Sequence, residues 1–529
     1  MNETYLYQHT PGKDGELNVW LAFPGIYSFG MSSIGFLSIF RRLDECDDIF
    51  IERIFTDTKT TTIRPSDLDV FGFSVSFELD FLSIFKIIEQ YKIPFKSEDR
   101  DESYPLIFGG GPVLTANPEP FCDFFDFIMV GDAEDTDVKI MRTIKENKSL
   151  PKQKVLELIS QIDGVYVPSQ TTFDKEKHVV TNKDGSELKV KKTTAKLPQC
   201  VYTPILSEES YFSNTFIIEI ARGCQNRCGF CLASYLNLPV RFCDYEKIIE
   251  AIELGLKHTN KIALLGALIC AHPNFDDICD YILKKIENGE NVELSVSSLR
   301  ADFISPKTIQ TLVKCGQKNA TIAIEAGSER LRKVINKNLT EEEILKSVEI
   351  AQKYGLHGLK IYAMIGLPTE TYEDLDEMIA LIKKIKKTHK GFDITMGFST
   401  FVPKAQTPFQ FVQREDTKSL EKKYEYLKKE FHKIGVKIRC SSVKWDYIQS
   451  IISRGDRRLC DYLIEVYRAG CKIGCFKNTY KSFVNEGRLP DSDEFAISQI
   501  PLDSHTPWDF IEIHQNKSLL THEYNRLLS

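Results

Sequence analysis

Three cysteines, Cys224, Cys228 and Cys231, lie within eight residues in the segment RGCQNRCGFC. Clustered thiols in a chain without a disulfide framework are typical of a metal centre or of redox chemistry. Three thiolates on one loop can hold three corners of a cubane 4Fe-4S cluster and leave the fourth iron open to a ligand. A structural zinc site would normally use four protein ligands in two paired motifs, and no matching second CxxC lies nearby. The triplet therefore predicts an iron–sulfur site with a vacant coordination position.

The bulk composition narrows the class of protein around this site. The chain has 529 residues, a net charge of −7 and 14 cysteines. Its length and ordinary composition suggest a multidomain globular enzyme, and its negative charge means that no overall positive field attracts nucleic acid. Its start carries no basic and apolar signal segment, and no window reaches the roughly 18 apolar residues of a membrane-spanning helix. We therefore expect a soluble, cytoplasmic protein in which most cysteines are buried thiols.

Hydrophobic patterning divides the chain into four parts. Residues 1–168 alternate apolar runs such as LNVWLAFPG and PLIFGGGP with helical patterns, which predicts an α/β, Rossmann-like domain with a parallel sheet. Residues 169–213 are polar and contain the turn signal NKDGS, which is typical of a hairpin-bearing connector. Residues 214–404 resume the strand–helix alternation, and residues 405–529 are mostly helical and charged. We expect a catalytic barrel followed by a helical C-terminal extension.

The barrel prediction rests on repeated strand–helix units. Six apolar segments are each followed by a helical stretch, namely TFIIEIARG, KIALLGALI, VELSVSSLR, ATIAIEAGS, LKIYAMIGLP and DITMGFSTFVP. Such a partial (β/α)6 barrel places the carboxyl ends of all its strands on one face, where barrel active sites lie. The cysteine triplet directly follows the first of these strands, so it should lie on that face.

A CxxxCxxC motif with the aromatic Phe230 before its last cysteine, placed after the first strand of a six-unit barrel, resembles the radical S-adenosylmethionine (radical SAM) superfamily. The resemblance implies that Cys224, Cys228 and Cys231 bind the 4Fe-4S cluster and that the amine and carboxylate of SAM chelate the open iron. One electron then cleaves SAM to methionine and a 5'-deoxyadenosyl radical, which abstracts hydrogen from the substrate. It also implies an electron donor such as flavodoxin or ferredoxin.

The same resemblance suggests where SAM is bound. After the second strand, Gly266 and Ala267 match the family's glycine-rich segment for the methionyl group, although the acidic residue that often follows is absent. After the third strand, Ser298 and Arg300 offer polar contacts, and Glu325 ends the fourth strand in a position suited to the ribose hydroxyls. These strand ends therefore form the predicted methionine and ribose sites.

Further candidates come from the neighbouring loops. Arg332 and Lys337 are possible partners of the SAM carboxylate, and Gly366 and Leu367 lie in the segment that contacts adenine in this family. His272, just past the second strand, is a weak candidate for a catalytic base and is more often a satisfied polar residue in such a position. For each charged residue the alternative interpretation is a solvated helix face.

The N-terminal domain resembles the cobalamin-binding subclass of the superfamily. That subclass has a DxHxxG loop, a serine-bearing third strand and a GG turn. Here Ser76 and the glycines Gly109, Gly110 and Gly111 correspond to the last two parts, whereas the first loop reads FPGIYSFGMSSIG and has no histidine. Two alternatives follow: cobalamin binds without a protein axial ligand, or the domain keeps the fold and has lost the cofactor.

Over nearly its whole length the chain is most similar to a family of cobalamin-binding-domain radical SAM proteins of unassigned function. The segments YSFGMSSIGFLSIFRRL, FGGGPVLTANPEPF, STFVPKAQTPFQ, SRGDRRL and PWDFIEI carry this likeness. The segment CKIGC departs from the pattern, and we interpret Cys471 and Cys475 as ordinary buried thiols rather than as ligands of a second cluster.

Three functions remain open from the sequence. The leading hypothesis is modification of an unreactive C–H position, by methylation with cobalamin or by rearrangement or cyclisation without it. The second is RNA modification of the methylthiotransferase kind, because the segments AGSERL and GLPTET are shared with those enzymes. The chain has neither their three-cysteine N-terminal domain nor a basic C-terminal RNA module, so we do not expect nucleic acid as a partner. The third is an iron–sulfur regulatory protein that binds SAM without cleaving it. The substrate is not specified by the sequence.

Overall fold

The N-terminal domain is a six-stranded sheet in the computed structural model, which describes residues 2–9, 16–197 and 200–529. The sheet has the order β2-β1-β3-β4-β5-β6, and every neighbouring pair is parallel except β5 and β6. Its strands are β1 (Leu17–Ala22), β2 (Ile49–Ile54), β3 (Val70–Ser74), β4 (Leu106–Gly110), β5 (Phe127–Met129) and β6 (Val165–Tyr166). The parallel, doubly wound arrangement confirms the predicted fold of this domain.

Helices cover both faces of this sheet. They are Tyr27–Gly30, Ile34–Asp44, Phe81–Gln90, Pro112–Ala116, Asp137–Glu146 and Lys152–Ile159. Side chains on opposite faces of one strand enter two different hydrophobic clusters: Trp20 packs in one and Val19 in the other, and both are fully buried. Burial on both faces explains why these strands read as continuous apolar runs.

The connector ties the N-terminal domain to the end of the chain. Strands Thr171–Asp174 and Val179–Asn182 form an antiparallel hairpin, and the short strand Val190–Lys191 pairs in parallel with Ile511–Glu512. Near the start of the chain, Glu3–Tyr5 pairs with Ile205–Ser207. The connector is therefore anchored to both terminal regions.

The second domain is an open barrel of parallel strands. These are β7 (Phe216–Glu219), β8 (Lys261–Leu265), β9 (Glu293–Val296), β10 (Asn319–Glu325), β11 (Gly358–Ile365) and β12 (Asp393–Thr400), with β13 (Lys437–Cys440) beside β12. Strands β7 to β9 form one sheet together with the short strand Val201–Tyr202, and β10 to β13 form another. A parallel bridge between Leu299 and Ile322 joins the two sheets. All six predicted strands are present, in chain order.

Helices surround the outside of the barrel. They are Tyr245–Leu256, Phe275–Glu287, Pro306–Lys314, Glu329–Val334, Glu341–Lys353, Tyr372–Thr388 and Thr417–Lys433. On β11, Ile361 and Ala363 belong to the core beneath these helices, and the alternating residue Tyr362 faces the other way and is 39% exposed. The inner faces of the strands therefore line an accessible lumen.

The C-terminal extension is helical, as the sequence predicts, but it begins later than residue 405, because helix Thr417–Lys433 and strand Lys437–Cys440 belong to the barrel. Its helices are Val443–Arg454, Leu459–Arg468, Ile473–Asn485, Ser492–Ala496 and Lys517–Leu528. Leu459–Arg468 packs against helix Phe81–Gln90 of the N-terminal domain, and Lys517–Leu528 packs against the segment Pro408–Phe411 that follows β12. Across the described residues, no helix combines the length and apolar character that crossing a membrane requires.

Candidate active site

The cysteine loop begins at Gly223, a position that admits only glycine. Gly223 has a φ of +88°, and a Cβ there would lie 2.4 Å from the carbonyl oxygen of Asn237. Cys224 and Cys228 are buried, with 9% and 7% exposure. The loop ends in the short helix Ala233–Leu236, after the amide of Cys231 donates to the carbonyl oxygen of Cys228 at 2.9 Å. The chain thus collects its three thiols immediately after β7, as predicted.

The three thiols of the triplet are not all as close together as the ligands of a single metal ion would be. Ligand sulfurs of one tetrahedral zinc lie about 3.8 Å apart, given Zn–S bonds of about 2.3 Å. Within the described residues, the only group of three His, Cys, Asp or Glu ligand atoms all within 4.8 Å of one another is Cys122, Asp123 and Cys460. At least one Sγ–Sγ distance in the triplet therefore exceeds 4.8 Å, which leaves room for a multinuclear centre.

The loop that follows β10 holds the cysteine loop in place. The side-chain amide of Asn336 donates to the carbonyl oxygens of Asn226 and Arg227, both at 2.9 Å. Its backbone carbonyl oxygen lies 3.7 Å from the Sγ of Cys228. The amide of Gly229 donates to the carbonyl oxygen of Ile335 at 3.0 Å. These contacts fix the thiols relative to the strand end that carries Glu325.

Charged residues gather around Cys228. Lys337 Nζ donates to Glu325 Oε1 at 3.1 Å, and the Arg300 guanidinium donates to the backbone carbonyl of Lys337 and, at 2.8 Å, to Asp302. Burial raises the pKa of the Cys228 thiol to about 12, and the cations Lys337 and Arg300 act in the opposite direction. The structure therefore brings Glu325, Lys337 and Arg300 together beside the predicted cluster.

The backbone at Glu325 is unusual for a residue with a side chain. Its φ is +65°, in the left-handed region, and the register between β10 and β11 shifts between Ala323 and Glu325. Such conformations persist where the surrounding structure determines them, and they cluster at functional sites. The irregularity ends β10 and turns the carboxylate toward Lys337.

Two predicted residues are engaged within the protein instead. Arg332 is 1% exposed, and its guanidinium donates to the carbonyl oxygens of Ala326 and Gly327 at 3.0 and 2.6 Å. The Nε2 of His272 lies 2.9 Å from the carbonyl oxygen of Cys243, and its Nδ1 accepts from the amide of Asn274. Their hydrogen-bonding groups stabilise loops, so the structure gives no support to their predicted roles toward SAM or substrate.

The remaining predicted SAM contacts lie at the same strand ends. Ala267 after β8 and Ser298 after β9 are exposed. A Cβ on Gly266 would lie 2.9 Å from the carbonyl oxygen of Ala221, so this glycine permits close approach to the loop that precedes the triplet. Gly366 has a φ of +77° after β11, and Leu367 is 3% exposed. Gly366 thus serves a turn, and Leu367 is packed within the protein.

The lumen holds a polar pair that the sequence analysis missed. Lys360 Nζ donates to Tyr362 Oη at 2.8 Å, and both residues are on the inner face of β11. A Cβ on Gly397 of β12 would lie 2.9 Å from the Tyr362 ring, so this glycine makes room for the phenol. The signal was the alternation Lys-Ile-Tyr within a strand, which puts two polar side chains on one face.

Exposed apolar groups lie at the carboxyl edge of the N-terminal sheet. Ile26 and Phe29 follow β1, Phe77 follows β3, and their exposures are 43, 49 and 44%. Ser76 is exposed next to Phe77, and the backbone amides of both donate to Asp80. This edge offers an apolar surface with a neighbouring hydroxyl.

Gly109 and Gly110, the last two residues of β4, and Gly111, which follows it, differ in their surroundings. A Cβ on Gly109 would lie 2.5 Å from Leu114, and one on Gly111, whose φ is +116°, would lie 2.4 Å from the carbonyl oxygen of Val75. A Cβ on Gly110 would meet nothing closer than 3.6 Å. The chain itself fills the space beside Gly109 and Gly111, which corrects the expectation that all three glycines leave space for a ligand. Only Gly110 would accept a side chain without a clash, in ordinary contact with Met129.

An ionic network joins the two domains at this edge. Arg222, two residues before Cys224, pairs with Glu134 of the N-terminal domain at 2.7 Å and with Asp132 at 3.3 Å. Arg241 also pairs with Asp132, at 2.5 Å. The cysteine loop is therefore anchored directly to the carboxyl edge of the N-terminal sheet.

In the described part of the chain, the cysteines of the segment CKIGC do not belong to any group of three His, Cys, Asp or Glu ligand atoms that lie within 4.8 Å of one another. Cys471 and Cys475 are half-buried, and the nearest hydrogen-bond acceptors of their thiols are the backbone carbonyl oxygens of Tyr467 and Ala469. They are less buried than the sequence interpretation assumed.

Comparisons with known proteins agree with this architecture. Residues 35–168 match the family model of radical SAM proteins, N-terminal, and residues 218–382 match that of the radical SAM superfamily. An uncharacterized protein of Methanocaldococcus jannaschii is 30% identical over 448 residues, which cover 84% of this chain and 90% of the relative. A tRNA-2-methylthio-N(6)-dimethylallyladenosine synthase of Sulfurihydrogenibium sp. is 24% identical over 39% of this chain and 46% of the relative.

The fold is also similar to that of a solved structure. The cobalamin-dependent S-adenosylmethionine radical enzyme OxsB, with aqua-cobalamin and S-adenosylmethionine bound, aligns with a TM-score of 0.54 at 14% identity, over 97% of this chain and 78% of that chain. The combined order of sheet, barrel and helical extension is thus found in a known protein. This chain belongs to the radical SAM superfamily.

Proposed function

We propose that this protein binds a 4Fe-4S cluster through Cys224, Cys228 and Cys231, cleaves SAM reductively and modifies an unactivated C–H position of a substrate held in the barrel lumen. The observation that carries the proposal is the position of three thiols on the loop after β7, beside Glu325, Lys337 and Arg300 at one barrel face. Membership of the superfamily supplies the expected chemistry.

The chemistry of the donor set fits the cluster. Three thiols on one loop would bind three irons of a cubane cluster and leave the fourth open. When bound, the cluster supplies the electron that cleaves SAM. The nearby cations Lys337 and Arg300 favour the thiolate form that a metal requires, and so oppose the effect of burial on Cys228. Glu325 presents a carboxylate suited to ribose hydroxyls.

Anaerobic reconstitution tests the proposal. Protein reconstituted with iron and sulfide should release 5'-deoxyadenosine from SAM after reduction with dithionite. Alanine at Cys224, Cys228 or Cys231 should abolish both the broad iron–sulfur absorbance and this release, because two thiolates cannot hold a cubane against solvent. Cys279→Ala is the matched control, since Cys279 is a buried thiol on an outer helix. Cluster binding without any 5'-deoxyadenosine would instead indicate a regulatory protein.

A second proposal concerns the N-terminal domain. We propose that its carboxyl edge binds cobalamin without a protein axial ligand, which would make the modification a methylation. Ile26, Phe29 and Phe77 offer an apolar surface, and Gly110 leaves space for a nucleotide tail. The loop after β1 contains no histidine. When bound, cobalamin would supply a transferable methyl group, and the chain would contribute binding surface rather than cobalt coordination.

A further inference from the structure

The polar pair in the barrel lumen carries the inference. Lys360 Nζ lies 2.8 Å from Tyr362 Oη and 4.6 Å from the centroid of its ring. The intervening Ile361 is fully buried beneath the outer helices, so the pair faces the opposite side of the strand. Tyr362 is 39% exposed, which is high for an aromatic residue in the central part of a barrel strand. Its phenol is presented to the lumen and is not packed in the core.

Lys360 lacks a counter-ion. Among the described residues, no carboxylate oxygen lies within 4.0 Å of its ammonium group, whereas Glu325 is paired with Lys337 and Glu219 with Arg222. The pair is accessible to solvent, so an incoming ligand would meet the ammonium group without first displacing a carboxylate. An ammonium group has three donors and Lys360 uses one on Tyr362, whose hydroxyl keeps its own proton to donate. Two kinds of donor therefore point at the same part of the lumen.

The pair lies below the cofactor edge of the barrel. Lys360 is five residues before Ile365, the last residue of β11, which corresponds to a Cα position about 16 Å deeper along the strand. Its partners in the neighbouring strands are Thr321 and Thr395. Lys360 is the third residue of β11 and so lies toward the amino end of the strand, whereas the predicted SAM contacts are at the carboxyl ends. The pair therefore does not overlap the predicted SAM contacts.

We propose that Lys360 and Tyr362 form a binding subsite for an oxyanion of the substrate, either a carboxylate or a phosphate. The ammonium group supplies charge, and the phenol supplies a directed hydrogen bond to the same oxyanion. The substrate would then be a small organic acid or a phosphate ester. The proposal rests on the proposed function only in identifying the bound anion as part of the substrate. Anion binding itself requires neither the reduced cluster nor SAM cleavage.

Protection of Lys360 from acetylation tests the subsite. The full-length, cluster-loaded chain is treated with N-hydroxysuccinimidyl acetate in the presence of inorganic phosphate, acetate or SAM, and lysine acetylation is measured by mass spectrometry. At an anion concentration about twice the dissociation constant, acetylation of Lys360 should slow about threefold. Lys384, exposed on an outer helix, is the internal control and should react at an unchanged rate.

The probes separate the possible ligands. Protection by phosphate alone indicates a phosphate ester, protection by acetate alone indicates a carboxylate, and protection by both supports a general oxyanion subsite. Protection by SAM but by neither anion would overturn the proposal and assign the pair to the cofactor. Absence of protection by all three probes would also overturn it. Because no reductant is present, these outcomes are independent of whether SAM cleavage occurs.

A pair of matched variants tests the phenol. Tyr362→Phe keeps the ring but removes the hydroxyl, and should weaken anion protection of Lys360 about fivefold to tenfold. Tyr372→Phe removes a phenol of similar exposure, 46%, at the start of an outer helix and should leave protection as in the unmodified chain. Equal protection in the two variants would contradict the role of Tyr362, whatever the iron content of either protein.

Discussion

Glu325 and Lys337 form an ion pair at the mouth of the barrel, with 3.1 Å between Oε1 and Nζ. Both side chains are largely shielded, with 14 and 9% exposure, and the backbone of Glu325 adopts a left-handed conformation that ends β10. The carboxylate is therefore oriented before any ligand arrives, and the ammonium group lies beside Cys228. Preorganisation of this kind reduces the loss of side-chain freedom when a ligand binds.

Replacing this carboxylate should weaken SAM binding. Glu325→Gln keeps the size of the side chain but removes its charge, so the hydrogen bonds to ribose and the pair with Lys337 both become weaker. We expect the dissociation constant for SAM to rise about tenfold, in line with hydrogen bonds to charged groups. Equilibrium dialysis of the unreduced, cluster-loaded protein measures this, with Glu341→Gln on an outer helix as control. An unchanged dissociation constant would place the ribose site elsewhere.

Asn336 should govern how well the cluster is retained. Asn336→Gly preserves the left-handed backbone, whose φ is +57°, and removes both hydrogen bonds to the cysteine loop. Loss of these bonds should loosen the loop by about 1–2 kcal/mol and speed the release of iron to a chelator. Asn214→Gly is a matched control, because Asn214 is also left-handed, with a φ of +50°, and precedes β7 instead of bonding to the cysteine loop. Equal release from both variants would show that the loop does not depend on Asn336.

The barrel strands and the cysteine loop could be predicted because their signals are local. Alternation along a strand and the spacing of three cysteines depend on neighbouring residues alone. The Lys360–Tyr362 pair was available from the same alternation, since both residues stand on one face of a predicted strand. The lack of a counter-ion for Lys360 could not be predicted from the sequence, because it depends on which acidic residues the other strands bring near the lumen.

Residues whose partners are backbone groups were harder to assign. The carbonyl oxygens that accept from Arg332 are only five and six residues before it, but the sequence does not show that the side chain turns back toward the start of its own helix, Glu329–Val334. In the N-terminal domain, Leu114 fills the space beside Gly109, and the backbone of Val75 fills that beside Gly111. A glycine motif alone does not show whether a ligand or the chain itself occupies the space.

The segment CKIGC should play no part in iron binding. Cys471→Ser and Cys475→Ser should leave the reconstituted protein with the same iron content, because the hydrogen bonds of these thiols go to backbone carbonyl oxygens and, among the described residues, the two cysteines are not part of a three-ligand metal site. Iron analysis and the visible absorbance of each variant measure this against the unmodified protein. A loss of about four irons per chain would instead establish a second cluster.

Gly110 provides the sharpest test of cobalamin binding. A Cβ there would make only an ordinary contact with Met129, at 3.6 Å, so Gly110→Val should fold while its side chain fills the space proposed for the nucleotide tail. We expect this variant to retain no cobalamin after anaerobic reconstitution. Without cobalamin, its thermal unfolding midpoint should differ from that of the unmodified protein by only a few degrees. Gly111→Val differs, because its Cβ would collide with the backbone of Val75, and it should destabilise the domain directly.

In the unmodified protein, cobalt spectroscopy should show no nitrogen coupling from a protein imidazole. Such coupling would contradict the unligated mode, and failure of the unmodified protein to retain cobalamin while it still cleaves SAM would favour rearrangement or cyclisation over methylation.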